Sequence, residues 1–420
     1  MLSILDLAAI LLTLSAAFAW INHTVLGLPH NIGVLIMGLA ASLVLIAVEL
    51  IFHDVPLYKA LTDIIQQIDF TAALMNGMLA FLLFAGALHV DLGRLRGRAW
   101  SVGLLATFGV LISTAVVGIG FWLAADALGL PMTLPWALVF GALISPTDPV
   151  AVISTLKAVR LPAALEIEMT GESLLNDGVG VVLFTILVAI ASGAPGEGST
   201  PGHVAELFFI EAVGGAVLGM ITGYIAYRAM AAIDDYPIEV LITLALVTGT
   251  YAIAAKLHVS GPIAVVAAGL LIGARGPSDA MSANTERYLF DFWTLIDEIL
   301  NSVLFLLIGL EVLVMGFDAR LMPLALAAIP LVLVARFLAV AGPVTALSPW
   351  ATFARGTIPI LTWGGVRGGI SVALALSLPR TEVTPMILAA TYLVVLFTLI
   401  VQGLTLGPLA RRIVDPVDDG

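Results

Sequence analysis

The sequence predicts an all-α polytopic membrane protein of about 13 transmembrane helices, with two broken helices in corresponding places of two inverted repeats. Three observations carry this. Of 420 residues, 60% are hydrophobic and only 11% charged, against roughly 25% charged in ordinary globular domains. Apolar runs of about twenty residues, the length that spans a bilayer as a helix, recur along the whole chain. Short alternating strands are absent, which argues against an outer-membrane barrel.

Thirteen segments follow from these runs, at 4–22, 31–52, 72–90, 99–124, 134–155, 167–191, 207–227, 238–255, 259–273, 292–315, 322–346, 357–378 and 385–407. The first resembles a signal peptide in its Ala17-Phe18-Ala19, but Asp6 stands where a basic region belongs, so it reads as a membrane helix. Asp54–Ile68 reads as an interfacial amphipathic piece, and Gly193–His203 is the most loop-like stretch. Residues 1–420 form one transmembrane domain, with repeat halves at roughly 4–191 and 238–407 and no soluble regulatory domain after Pro408.

Segment five is interrupted by Pro146-Thr147-Asp148-Pro149, and segment twelve by Gly364-Gly365-Val366-Arg367-Gly368-Gly369. Proline lacks the N–H and glycine the Cβ that regular helix uses, so both segments unwind in mid-membrane. Such backbone survives only against protein or a wet cavity. Segments five and twelve are an odd seven segments apart, so the halves run in opposite directions. Broken helices in matching places of two halves mark a transporter binding site.

Orientation follows from the basic residues. Of the 17 Lys and Arg, eleven fall on the side holding the C-terminus and four on the other; Arg336 and Arg367 lie inside spans. The excess places the C-terminus in the cytoplasm and the N-terminus outside. Trp20, Trp100, Trp136 and Trp350 stand near span ends, as an aromatic belt would.

Composition also excludes function classes. A net charge of −12 argues against nucleic acid as a partner. Zero cysteines exclude disulfides, thiolate zinc and iron–sulfur centres, and six histidines without HxxxH or HxxE spacing make a metalloenzyme a poor reading.

The chemistry concentrates between Gly141 and Phe184. On a helix, Glu172, Ser173, Asn176 and Asp177 share one stripe, because Glu172–Asn176 and Ser173–Asp177 are i,i+4 pairs. A carboxylate, a hydroxyl, an amide and a freed carbonyl at Thr147 form an oxygen set suited to a hard cation such as Na⁺ or Li⁺. Intramembrane carboxylates cost several kcal/mol or more, so a functional role outweighs interhelical glue. The remaining acids divide. Glu49, Glu166, Glu168, Glu211 and Glu239 lie near span ends and read as interfacial, whereas Glu311 is ambiguous. Asp297 and Glu298 read as opening segment ten, or as a negative funnel for cations. His89 reads as a satisfied structural histidine before a pH sensor.

GESLLNDG after ISPTDPVAV, together with FLLFAGALHVDLGRLR, NSVLFLLIGLEV and TWGGVRGGISVALALSLP, resembles the NhaP-type sodium/proton antiporters, prokaryotic relatives of animal sodium/hydrogen exchangers. The resemblance runs through the whole chain. It implies the thirteen-helix fold in which a six-helix core moves against a dimerisation domain. Asp177 is then the carboxylate that takes cation or proton, with Asn176 beside it. Glu172, Ser173 and Thr147 complete the Na⁺ site, Asp148 supports the broken helix, Arg336 pairs with Glu172, and Arg367 is the arginine of the second broken helix. It also implies a homodimer in the bacterial inner membrane, with no cofactor beyond the transported ions.

Charge counting bears on stoichiometry. Asp148, Glu172 and Asp177 against Arg336 and Arg367 leave the empty site at −1. One proton or one Na⁺ neutralises it, and only the neutral forms cross hydrocarbon cheaply. The expected activity is one-for-one electroneutral exchange, with cation and proton competing for Asp177. K⁺/H⁺ exchange is the near alternative, and a cation channel a farther one, lacking visible repeated selectivity elements. An intramembrane aspartyl protease fits poorly, since Asp177 sits in LNDGVG rather than a GxGD context. The chain is therefore not expected to be an enzyme.

Overall fold

A computed structural model describes residues 4–51, 78–90, 99–148, 152, 163–193, 201–313, 318–349, 353–354 and 356–413. The helices are α1 (Ile4–Ile21), α2 (His30–Ile51), α3 (Leu79–Leu88), α4 (Ala99–Ala127), α5 (Leu134–Ile144) and α6 (Ala163–Ala191). There follow α7 (Pro201–Met230), α8 (Tyr236–Leu257), α9 (Gly261–Arg275), α10 (Ala283–Glu311) and α11 (Met322–Leu347). The twelfth segment is two half-helices, α12 (Thr357–Trp363) and α13 (Gly369–Leu376). The last is α14 (Thr384–Phe397), a wider π-helical stretch at Thr398–Gln402, and α15 (Gly403–Ile413). Among the described residues nine spans are long and apolar enough to cross a membrane, and α3, α5 and α9 are shorter apolar helices. There is no strand among them. The chain is an all-α polytopic membrane protein.

Two apolar clusters organise the packing. The larger joins α4, α5, α6, α11, α13, α14 and α15 with the second half of α10. The other joins α3, α8 and α9 with the first half of α10, around the fully buried Trp293. Phe81, Phe84 and Phe292 surround that indole with centroids 4.7–5.9 Å away, and its N–H donates to Thr243 Oγ1 at 3.0 Å. Helix α10 runs through both clusters.

Several expectations need correction. Helix α10 starts at Ala283, nine residues before the expected 292, because Ser282 caps it by accepting from the Thr285 N–H. Asp297 and Glu298 are therefore four turns inside the helix and do not open it. Glu168 and Glu239, expected near span ends, are fully buried within the protein; Glu239 packs between α8 and α10 and accepts from Thr285 Oγ1 at 3.2 Å. Trp136 is buried as well, while Trp20 and Trp100 are exposed as a belt requires. Pro201–His203 belongs to α7 rather than to a loop. Asp54–Ile68, Trp350 and most of the second half of segment five lie outside the described residues.

Candidate functional site

The two interrupted segments meet. Helix α5 stops at Ile144, where Ser145 turns its hydroxyl back to the Gly141 carbonyl at 2.7 Å. Residues 146–148 run on without helical structure. The Asp148 N–H then donates to the Val366 carbonyl of the other break at 2.8 Å, so each unwound strand supplies the other with a partner.

Each strand also carries a charge for the other's helix end. The Arg367 guanidinium, fully buried, donates through Nη1 to the carbonyls of Ser145 and Pro146, the C-terminal end of α5. The Asp148 carboxylate sits against Gly368, which caps the N-terminus of α13; a Cβ there would lie 2.4 Å from Asp148 Oδ2. A cation at a helix C-terminus and an anion at an N-terminus are the favourable pairings with the backbone dipoles. Glycine at 368 is what permits the approach.

Helix α6 passes beside the crossing with its polar stripe towards it. Thr147 lies at the centre of a hydrogen-bonded cluster. Its Oγ1 is 2.7 Å from Ser173 Oγ and accepts from Asn176 Nδ2 at 2.9 Å. Its N–H donates to Asn176 Oδ1 at 3.3 Å, and Ser173 Oγ donates to its carbonyl. One turn away, both oxygens of Glu172 face the Arg336 guanidinium of α11, in a two-pronged buried ion pair. Arg336 Nε also donates to the Leu361 carbonyl at 3.1 Å, near the end of α12. A Cβ on Gly365 would meet Arg336 Nε at 2.6 Å, so glycine lets this side chain through.

Asp177 differs from its neighbours. It is 7% exposed and makes no hydrogen bond to any described residue. It borders a cavity of about 560 Å³, together with Thr147, Asp148, Gly368, Gly369 and Ser371. The opposite wall comes from His30 and Asn31 of α2, Leu82 and His89 of α3, and Asp297, Glu298 and Asn301 of α10. Glu172 and Ser173 border a separate small void of about 10 Å³ with Arg336. Of the expected Na⁺ ligands, Asp177 and Thr147 thus face the large cavity and Glu172 and Ser173 the small void, with Thr147 common to both. No group of three His, Asp or Glu side chains arranged for a metal is found among the described residues.

Sequence reasoning missed three side chains here. Thr398 Oγ1 accepts from the Arg367 N–H at 3.1 Å, and Gln402 Nε2 donates to the Trp363 carbonyl at 3.1 Å. Both come from the π-helical stretch, whose wider turn is a frequent mark of functional sites. Ser371 is the third, one turn past the second break, where a small polar residue in an apolar half-helix is a readable signal. His89 is satisfied on both ring nitrogens, by Ala85 O at 2.7 Å and Thr294 Oγ1 at 3.0 Å.

Comparison with known proteins identifies the lineage. The family described as sodium/hydrogen exchanger, transmembrane, matches residues 11–412. The Na⁺/H⁺ antiporter NhaP of Pseudomonas aeruginosa is 46% identical over 413 residues, 97% of each chain. The Na⁺/H⁺ antiporter NhaH of Halobacillus dabanensis is 36% identical over 89% of this chain and 91% of its own. The structure of the sodium proton antiporter MjNhaP1 from Methanocaldococcus jannaschii at pH 8 superposes with a TM-score of 0.74 at 21% identity, covering 96% of this chain and 97% of that one. With a family match across nearly its whole length, the crossed and charge-compensated breaks described above are those of a chain that belongs to the sodium/hydrogen exchanger family.

Proposed function

We propose that this chain is a secondary active antiporter that exchanges Na⁺, and also Li⁺, for H⁺, one for one and without net charge movement. The observation that carries this is Asp177, a carboxylate with no hydrogen-bond partner among the described residues, bordering a cavity beside two crossed unwound segments. An intramembrane acid so placed marks an ion or proton pathway. Asp177 takes a proton or a cation, one excluding the other. Thr147, Ser173, Asn176 and Glu172 form the oxygen-rich surroundings, while Asp148, Arg336 and Arg367 hold the crossing together. K⁺ in place of Na⁺ is not favoured, because the relatives above are named for Na⁺.

The packing supports an inverted-repeat architecture with halves at roughly 4–191 and 238–407. Leaving α7 aside, shifting helices by seven positions maps several neighbouring pairs onto neighbouring pairs. Helix α2 packs on α10 as α9 packs on α3, and α4 meets α5 and α6 as α11 meets the twelfth and thirteenth segments. Segments 4–6 and 11–13 form the moving core, and the rest the dimerisation domain of a homodimer. The cavity lies between the two.

We place the protein in the bacterial inner membrane, N-terminus outside and C-terminus in the cytoplasm, from the excess of basic residues on one side. In that orientation the start of α2, the end of α3 and the first half of α10, which line the cavity, face the cytoplasm, and this supports an inward-open reading. The reaction needs no cofactor, and the O–H bond of a protonated Asp177 is the one bond it makes and breaks.

The test is transport by purified protein in liposomes with a trapped pH dye, adding Na⁺, Li⁺ or K⁺ outside with the membrane potential clamped or free. Proton movement driven by Na⁺ or Li⁺, insensitive to voltage and lost in Asp177→Ala, is the expected result. Movement with K⁺ alone would overturn the substrate, and a voltage-dependent rate would overturn the stoichiometry.

A further inference from the structure

We propose that Ser371 supplies a further oxygen ligand to the cation at Asp177 and helps set the protein's affinity for it. The inference rests on the antiporter reading and deepens it. Ser371 is 1% exposed, and its hydroxyl has no hydrogen-bond partner among the described residues. A buried hydroxyl without a partner costs free energy. A serine in a helix ordinarily avoids that cost by donating to a carbonyl one turn back. Ser371 does not. It borders the same cavity as Asp177, Asp148 and Thr147.

Its position in α13 accounts for the direction. Gly368 is the N-cap, so Ser371 is the third helical residue, the place whose side chain lies back over the cap. The Asp148 carboxylate rests against that same cap. Ser371 therefore lines the cavity at the crossing together with Asp148, one of the two acids that bound it. A hard monovalent cation takes several oxygen ligands at once, and the Asp177 carboxylate with one Thr147 oxygen leaves its shell incomplete. Glu172 faces Arg336 with both oxygens and borders the separate small void rather than this cavity. A free hydroxyl in the cavity wall can complete the shell. A bound cation would also satisfy the hydroxyl that the empty site leaves unpaired, whereas a proton on Asp177 would not require it.

This separates cation binding from proton binding, and the experiment uses that difference. Full-length wild type, Ser371→Ala and Ser371→Thr are reconstituted in liposomes, and KM and kcat for Na⁺ and Li⁺ are measured at several pH values. The expected result is a KM raised about fivefold in Ser371→Ala, equivalent to roughly 1 kcal/mol for one lost contact, with kcat far less affected. Protons then outcompete Na⁺ at a higher pH than in wild type. Ser371→Thr, which keeps the hydroxyl, restores the wild-type KM. An unchanged KM for both ions in Ser371→Ala overturns the inference alone. So does an equal fall in kcat in both variants at constant KM, the signature of a packing role. Absence of cation-driven proton movement in the wild type overturns the antiporter reading and the inference together.

Discussion

The Glu172–Arg336 pair offers the sharpest test of how the site is held together. Both side chains are buried, 2% and 7% exposed, and Arg336 makes three hydrogen bonds, two to Glu172 and one to the Leu361 carbonyl. Removing one partner strands the other as an unpaired buried charge, which costs about 3–5 kcal/mol. Arg336→Met leaves the Glu172 carboxylate and the Leu361 carbonyl without donors. Glu172→Leu leaves a guanidinium with a single weak acceptor. The double variant strands no charge, and replacing a buried pair by apolar residues of similar volume is often nearly neutral. The expected outcome is that each single variant loses about 3–5 kcal/mol while the double variant loses less than either, a coupling at or beyond the upper end of the usual ~0.5–3 kcal/mol. Equilibrium unfolding in mixed detergent micelles, followed by tryptophan fluorescence, measures this. Single-variant losses that add within about 0.5 kcal/mol in the double variant would refute the reasoning, because they would mean that the two charges do not depend on each other.

Three further outcomes follow from the same geometry. Asp177→Asn keeps the size of the side chain but cannot alternate between ion and proton, so Na⁺-driven proton movement disappears while the gel-filtration profile stays that of wild type. Because proton and cation share Asp177, lowering the pH raises the apparent KM for Na⁺ in the wild type and leaves the rate at saturating Na⁺ unchanged; initial rates over a Na⁺ series at each pH decide it. Gly368→Ala places a Cβ 2.4 Å from Asp148 Oδ2 and 2.7 Å from its Cβ, whereas Gly103→Ala meets nothing within 4 Å. The first therefore loses at least tenfold in transport, a barrier or stability change of only about 1.4 kcal/mol, and the second keeps wild-type activity.

Most of the fold is readable in the chain because the bilayer simplifies the code. Twenty apolar residues cannot be hidden, and Pro146, Pro149 and the four glycines around Val366 mark the breaks without ambiguity. The start of α10 was lost for the opposite reason. Its first turns carry Asn284, Glu286, Arg287 and Asp291, so hydropathy is low, and only the Ser282 cap announces the helix. The burial of Glu168 and Glu239 is equally illegible, since distance from a span end says nothing about which helix packs over it. In the site, the stripe on α6 follows from i,i+4 spacing alone. The partner of Glu172 does not. Arg336 lies 164 residues away and was pointed to only by resemblance. Ser371, though a small polar residue in an apolar half-helix, and Gln402, a single amide in an apolar run, do not by themselves say which neighbour they face.

The reciprocal seating of Arg367 on the end of α5, and of Asp148 on the start of α13, has a consequence for how the protein is made. Arg367 follows Ser145 by 222 residues. At a synthesis rate of ~5–20 residues per second, roughly 10–45 s separate their emergence from the ribosome. Throughout that interval the first broken segment has entered the membrane without the guanidinium that neutralises its carbonyls, and Asp148 without the helix start it faces. The first half therefore waits in an unfinished form, dependent on insertion machinery or on water at the bilayer surface, until the twelfth segment arrives. A ribosome halted between residues 191 and 357 would leave a partial protein that retains its apolar helices but lacks the Arg367 guanidinium and the helix start that close its centre. Such a fragment is a natural substrate for membrane quality control.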